Sequence, residues 1–145
     1  MTDNFKEYGK QIIKNAKSFA DKFIELGYKV ISNGTQNHMF VLDVYNTLGL
    51  TGKEVEEALD RINITVNKNQ IPNDTLPPLK SSGVRIGVPA MTTKGFNEND
   101  FEQLAKLINL YLEDYKNIDL TDSILNYYKD KVKDLISNRG ENYAL

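Results

Sequence analysis

The spacing of apolar residues shifts from about 3.6 to about 2 and back again along this chain, and that alternation limits its fold more than any single motif. Phe5, Tyr8, Ile12, Ile13, Ala16, Phe19, Ala20, Phe23 and Ile24 recur at three- and four-residue steps, which predicts one long amphipathic helix. Asn4 with Glu7 offers a capping box at its start, and Gly27 offers a left-handed stop. Residues 29–32 and 39–44 have strand character, and the turn-rich Ser32-Asn33-Gly34-Thr35-Gln36-Asn37 between them predicts a hairpin. Thr51 and Glu54 make a second capping box, which opens a short helix through Val55, Ala58 and Leu59. Beyond it, Ile62, Ile64 and Val66 alternate with Asn63, Thr65 and Asn67, the pattern of a strand with one dry face.

Pro72, Pro77 and Pro78 make residues 69–82 a loop rather than a helix or a central strand. Val84-Arg85-Ile86-Gly87-Val88 is the last short strand, closed by Pro89. Phe96, Asn97 and Phe101 then form a hydrophobic staple around an Asn cap, ahead of a stripe of Leu104, Ala105, Ile108, Tyr111, Leu112 and Tyr115. Thr121 caps a final helix whose apolar face is Ile124, Tyr127, Tyr128, Val132, Leu135 and Ile136. The order of helix, strands, helix, strands, helix, helix predicts an α+β fold. It is a two-layer α/β sandwich in which a small mixed or antiparallel sheet is covered by helices. The 145 residues fit a single domain over 1–145.

Composition narrows the function classes. A net charge of -2 gives no electrostatic footprint for nucleic acid or an anionic membrane. The apolar runs are too short to span a bilayer, and the first residues lack a signal-peptide apolar core, so neither a membrane nor a nucleic-acid partner is expected. The absence of cysteine excludes disulfides and thiol chemistry and suits a cytoplasmic protein. Lys and Arg together number 18, yet the only arginines are Arg61, Arg85 and Arg139. In so lysine-biased a chain, a retained arginine is more informative than usual.

Arg85 is the first candidate for chemistry. If Val84, Ile86 and Val88 face the core, Arg85 stands on the opposite face of the same strand, with Gly83 and Gly87 as its same-face neighbours. That predicts an open slot where a ligand can approach the backbone, and a guanidinium fork matches a carboxylate through two parallel hydrogen bonds. A plain solvent-facing arginine has the same spacing and is the commoner case, so both readings stand at this point. The 69–82 loop is the second candidate. Asn69 carries an amide donor and acceptor suited to a heterocycle edge, and Pro77, Pro78 and Leu79 would form a stiff apolar wall. Taken alone, the same residues also read as an ordinary surface loop. His38 is the single histidine, has no partner at ligand spacing, and is not expected to be catalytic. No metal-binding, phosphate-loop or nucleophile-elbow motif occurs, so no metal is expected.

Two strings are more specific. Asn63-Ile64-Thr65-Val66-Asn67-Lys68-Asn69, continued by Ile71-Pro72-Asn73-Asp74, is one. The other is Ser82-Gly83-Val84-Arg85-Ile86-Gly87-Val88-Pro89-Ala90-Met91-Thr92-Thr93-Lys94-Gly95-Phe96. Both closely resemble the C-terminal region of serine hydroxymethyltransferases. The likeness extends in order to Asn15-Ala16-Lys17, Gly27-Tyr28-Lys29-Val30, Gly34-Thr35-Gln36-Asn37-His38 and Thr51-Gly52-Lys53-Glu54, and so covers nearly the whole chain.

The resemblance implies the small C-terminal domain of an aminotransferase-like, fold-type I pyridoxal-phosphate enzyme. Such an enzyme is a homodimer or tetramer that interconverts serine and tetrahydrofolate with glycine and 5,10-methylenetetrahydrofolate. It implies that Arg85 holds the substrate carboxylate, that Asn69 contacts the folate pteridine, and that Pro77, Pro78 and Leu79 line the folate site. The chain departs from the family in three places. Pro77-Pro78-Leu79 stands where Ser-Pro-Phe is common, and Lys94 stands for a common arginine. The segment with the Schiff-base lysine has no counterpart here, nor do the groups that cradle the cofactor phosphate. The expectation is therefore a domain separated from its cofactor-binding partner and inactive alone. The competing expectations are a free-standing folate or amino-acid binding module and an interaction domain without catalysis.

Overall fold

Dry and wet residues alternate along Met39–Asp43 and Gly83–Gly87, and these two segments form the centre of the sheet. The computed structural model describes residues 3–31, 38–88 and 95–137. Within them lie α1 (Asp3–Glu25), β1 (Lys29–Ile31), β2 (Met39–Asp43), α2 (Val44–Leu48), α3 (Gly52–Asp60), β3 (Asn67–Asn69), β4 (Gly83–Gly87), α4 (Glu98–Asn117) and α5 (Asp122–Ser137). The four strands are ordered β1-β2-β4-β3 and every pairing is antiparallel. This is the expected α+β sandwich, with one sheet under a layer of helices. Among the described residues no helix is long and apolar enough to cross a membrane.

Phe40, Leu42, Val84 and Ile86 point from the central strands into the core. Phe19 of α1 packs against Phe40 of β2 at 5.5 Å and against Phe101 of α4 at 5.0 Å between ring centroids, so it ties both helices to the sheet. Full burial of such a ring contributes about 1.5–3 kcal/mol relative to leaving it in water. Tyr111 of α4 donates its hydroxyl to Ala58 O of α3 at 2.5 Å, and Tyr28 donates to Asn109 Oδ1 at 2.9 Å. Helix α5 docks through Tyr128 on Tyr111, rings 5.0 Å apart. Ile13 and Ile24, expected on the dry stripe of α1, are instead exposed.

Local signals account for most boundaries. Gly27, at φ 98, ends α1. Its N–H bonds Ile24 O and the Tyr28 N–H bonds Phe23 O, a Schellman closure that also stacks the Tyr28 and Phe23 rings. Both halves of the Thr51–Glu54 box form, at 3.0 and 3.1 Å. Asn97 caps α4 and pairs reciprocally with Asp100, while Phe96 meets Phe101 across the cap at 5.2 Å. Thr121 Oγ1 accepts from Ile124 N at the start of α5. The Asn4 cap, the 32–37 connector and Lys94 lie outside the described residues or side chains.

Two expectations need correction. Val44 does not continue β2: Asp43 accepts from the Asn46 N–H and turns the chain into α2, which Gly49 ends at φ 77. Residues 62–66 are not a strand either. Asn63 adopts φ 68, and the bonds from Asn63 N to Asp60 O and Ile64 N to Leu59 O spend this stretch on closing α3. Ile62 and Val66 are buried as their alternation implied, but ladder pairing starts only at Asn67.

Candidate functional site

The sheet has a second face, and the register decides what stands on it. Arg85 lies opposite Val41 on β2 and opposite Asn67 on β3, and Asn69 lies opposite Gly83. Residues two apart on a strand share a face, so Asn67, Asn69 and Arg85 stand together on the side turned away from the helices. Asn69 and Arg85 are diagonal neighbours, a relation that spans roughly 7–8 Å between Cα atoms. Arg85 is exposed and Asn69 half-buried. Because β4 is a central strand paired on both edges, the Arg85 backbone is fixed while its side chain is exposed.

Among the described residues no carboxylate pairs with Arg85; the ion pairs are Lys10–Glu7, Lys17–Asp21, Lys22–Glu25 and Lys68–Glu56. Asn69 donates Nδ2 to Gln70 O at 2.8 Å. Glu56 of α3 grips the outer edge of β3. It accepts the Lys68 N–H at 2.8 Å and meets the Lys68 ammonium at 3.5 Å, which fixes the strand that carries Asn67 and Asn69.

The open slot expected around Arg85 is only half present. A Cβ on Gly83 would lie 2.6 Å from Val41 Cγ1, 2.9 Å from Asn69 O and 3.0 Å from Ile71 Cγ2, so the chain's own side chains fill that flank. Gly87, on the other flank, is exposed.

The loop after β3 is organised by Asp74. Its carboxylate accepts from Ile71 N (3.2 Å), Leu76 N (2.9 Å), Ser82 N (2.9 Å) and Ser82 Oγ (2.6 Å). Burial pushes this carboxyl up, but the bonds from the Ser82 hydroxyl and from the N–H groups of Leu76, Ser82 and Ile71 outweigh it and hold the group at about 2. Pro77 O takes the N–H groups of Lys80 and Ser81, both at 2.9 Å, so Pro77 and Pro78 open a single tight turn. Pro77 and Pro78 are exposed, and Leu79 presents 77% of its surface. The exit of the loop is anchored from below: Lys80 O, Ser81 O and Ser82 O receive the N–H groups of Lys53, Gly52 and Tyr45. These are otherwise unpaired donors near the starts of α3 and α2.

Other features lie apart from this face. An apolar cavity of about 250 Å³ between the helical side of the sheet, α4 and α5 is lined by residues such as Ile64, Ile86, Leu104 and Val132, with no cation among the described residues. It includes none of Arg85, Asn69, Pro77, Pro78 or Leu79. His38 is exposed, and its carbonyl accepts from Val88 N at 3.3 Å. Among the described residues no group of three His, Cys, Asp or Glu could hold a metal ion.

Sequence reasoning missed Asp74 and Glu56. An Asp within a Pro- and Asn-rich stretch is a recognisable turn former, and the bond from Leu76 N two residues on is of that local kind. The bonds to Ser82, like that from Lys68 N to Glu56, span the loop or join two elements and leave no periodic signal.

A family model described as serine hydroxymethyltransferase matches residues 1–108. The matched stretch runs from α1 into α4 and contains Asn69, Asp74, the Pro77-Pro78-Leu79 turn and Arg85. With most of its length inside that match, the chain belongs to the serine hydroxymethyltransferase family, a family of transferases.

Proposed function

We propose that this chain is the small C-terminal domain of a serine hydroxymethyltransferase and that its open sheet face supplies two recognition elements to a site completed by a larger domain. Arg85 anchors the carboxylate of serine or glycine. Asn69, with Pro77, Pro78 and Leu79, borders tetrahydrofolate. The observation that carries this reading is the guanidinium of Arg85, exposed, unpaired among the described residues, and on the same face as Asn69.

A planar fork that accepts a carboxylate through two charge-assisted bonds fixes the orientation of the amino acid as well as its position. Orientation matters because the bond between the α-carbon and the hydroxymethyl group must be held for cleavage, and positioning of this kind is a large part of catalysis. With leucine in place of an aromatic ring at position 79, the wall offers folate apolar contact without stacking.

Pyridoxal phosphate, where bound in this family, acts as the electron sink for the carbanion. The described residues do not fit that group by themselves. Among the described residues the 250 Å³ cavity has neither lysine nor arginine in its lining, and Arg85 is exposed outside it. The reading therefore assigns the cofactor to the larger domain, in a homodimer or tetramer, in the cytoplasm, and makes the isolated chain inactive.

Calorimetric titration of the 145-residue chain with a reduced folate tests the division of labour. Weak or undetectable binding supports a half-site that needs its partner domain, because an open face buries too little ligand to offset the cost of association. Tight binding instead supports a self-sufficient folate-binding module.

A further inference from the structure

Arg85 and the 77–79 turn can bring an amino acid and a folate together in one site only if their relative placement is fixed, and Asp74 ties the loop that carries the turn to Ser82, the residue before the Arg85 strand. The loop has no ladder of its own. Its tip is closed by local bonds to Pro77 O and by Ser81 Oγ to Pro78 O at 2.8 Å, and Gln70 Nε2 at the entry donates to Leu76 O at 3.1 Å, but none of these joins the entry to the exit. Asp74 does. Oδ2 accepts from Ile71 at the loop's entry and from the Ser82 N–H at its exit, while Oδ1 accepts from Leu76 and from the Ser82 hydroxyl. Ser82 immediately precedes β4, and its carbonyl is already taken by Tyr45 N at 3.0 Å. Ser81 beside it is held at φ 56, a left-handed conformation that a non-glycine residue keeps only when its surroundings enforce it. The exit is thus rigid, and Asp74 ties to it both Ile71 at the entry and Leu76, the residue that leads into the 77–79 wall.

We infer that Asp74 is a positioning residue: it locks the wall of Pro77, Pro78 and Leu79 to the strand that carries Arg85, and so sets the geometry of the folate side of the site. An ordinary turn-forming Asp would need only the bond from Leu76; all four lone-pair directions of this carboxylate are engaged. Asparagine cannot reproduce that, because its Nδ2 donates where an oxygen must accept. Arg85 itself does not depend on the loop, since β2 and β3 hold its backbone on both sides.

This inference rests on the site assignment proposed above, and its test separates the two. In the complete enzyme, Asp74→Asn is compared with wild type and with Arg85→Lys. The expected result for Asp74→Asn is a KM for tetrahydrofolate raised on the order of 10-fold, with the KM for serine within about twofold. In the 145-residue chain, the Ile71 and Leu76 amides exchange with solvent at least ~10-fold faster than in wild type. Ser82→Ala, which keeps the backbone bond and removes only the hydroxyl, gives the same split at smaller size should Asp74→Asn fold poorly. Equal changes in both KM values, or no change in either, overturns the positioning role. An unchanged serine KM in Arg85→Lys overturns the site assignment instead, whatever Asp74→Asn does.

Discussion

Gly52 at the start of α3 sits directly on the carbonyl of Gly83 in β4: a Cβ on Gly52 would collide with Gly83 O and lie 3.3 Å from Lys68 Cβ. The helix thereby touches the strand that carries Arg85 and the strand that carries Asn69 at one point, without an intervening side chain. The Gly52 N–H bonds Ser81 O at 2.8 Å in the same place.

Adding a methyl group at either glycine is therefore costly. Gly52→Ala must displace a backbone carbonyl, and Gly83→Ala must displace Val41 and the Asn69 carbonyl. Each is expected to lower stability by roughly 1–3 kcal/mol, the range for overpacking a close contact. Gly9→Ala is the control: nothing lies within 4 Å of its added Cβ, and it sits inside α1. That change should stabilise by about 0.5–1 kcal/mol. Urea denaturation of the three variants measures the difference; a Gly83→Ala protein as stable as Gly9→Ala contradicts the packing described.

Acid should weaken the loop through Asp74. Its carboxyl is held at about 2 in the folded chain, against roughly 3.9 for a free aspartate. A carboxyl depressed by folding contributes stability that is complete above the unfolded value and is lost as pH falls through the folded one. The melting temperature should consequently fall between about pH 5 and about pH 2, and Asp74→Asn should remove that part of the slope. Thermal melts of both proteins across this range provide the check, and parallel curves would count against the assignment.

The hydroxyl of Tyr111 is buried and donates to Ala58 O at 2.5 Å. Tyr111→Phe keeps the ring and its contact with Tyr128 but removes this link between α4 and α3. The expected loss is about 1 kcal/mol, the net worth of one buried hydrogen bond. A denaturation midpoint unchanged in Tyr111→Phe would show that the bond adds nothing net.

Features whose partners lie within one helical turn were legible in the sequence. Gly27, the Thr51–Glu54 box, and the Phe96, Asn97 and Phe101 staple all took the roles their spacing implied. So did the exposed placement of Arg85, because β4 alternates cleanly between buried Val84 and Ile86 and the outward arginine. The period misled where burial and pairing part company. Ile62 and Val66 reach the core from a helix closure and an extended stretch, not from a ladder. Val44 follows a strand in composition, but the cap formed by Asp43 outweighs its β propensity. The crowding of Gly83 by Val41 and Ile71 and the bonds between Asp74 and Ser82 depend on strand register and loop closure, which no local window contains.

The most direct test of the account concerns the Arg85 fork. Arg85→Lys keeps the positive charge and the strand but cannot make two parallel bonds to a carboxylate. In the complete enzyme the KM for serine should rise on the order of 10-fold in Arg85→Lys and on the order of 100-fold in Arg85→Ala, about 1.4 and 2.7 kcal/mol. The KM for tetrahydrofolate should stay within about twofold in both. Serine kinetics like wild type in Arg85→Ala, in a protein with an unchanged melting temperature, would contradict the account at its centre.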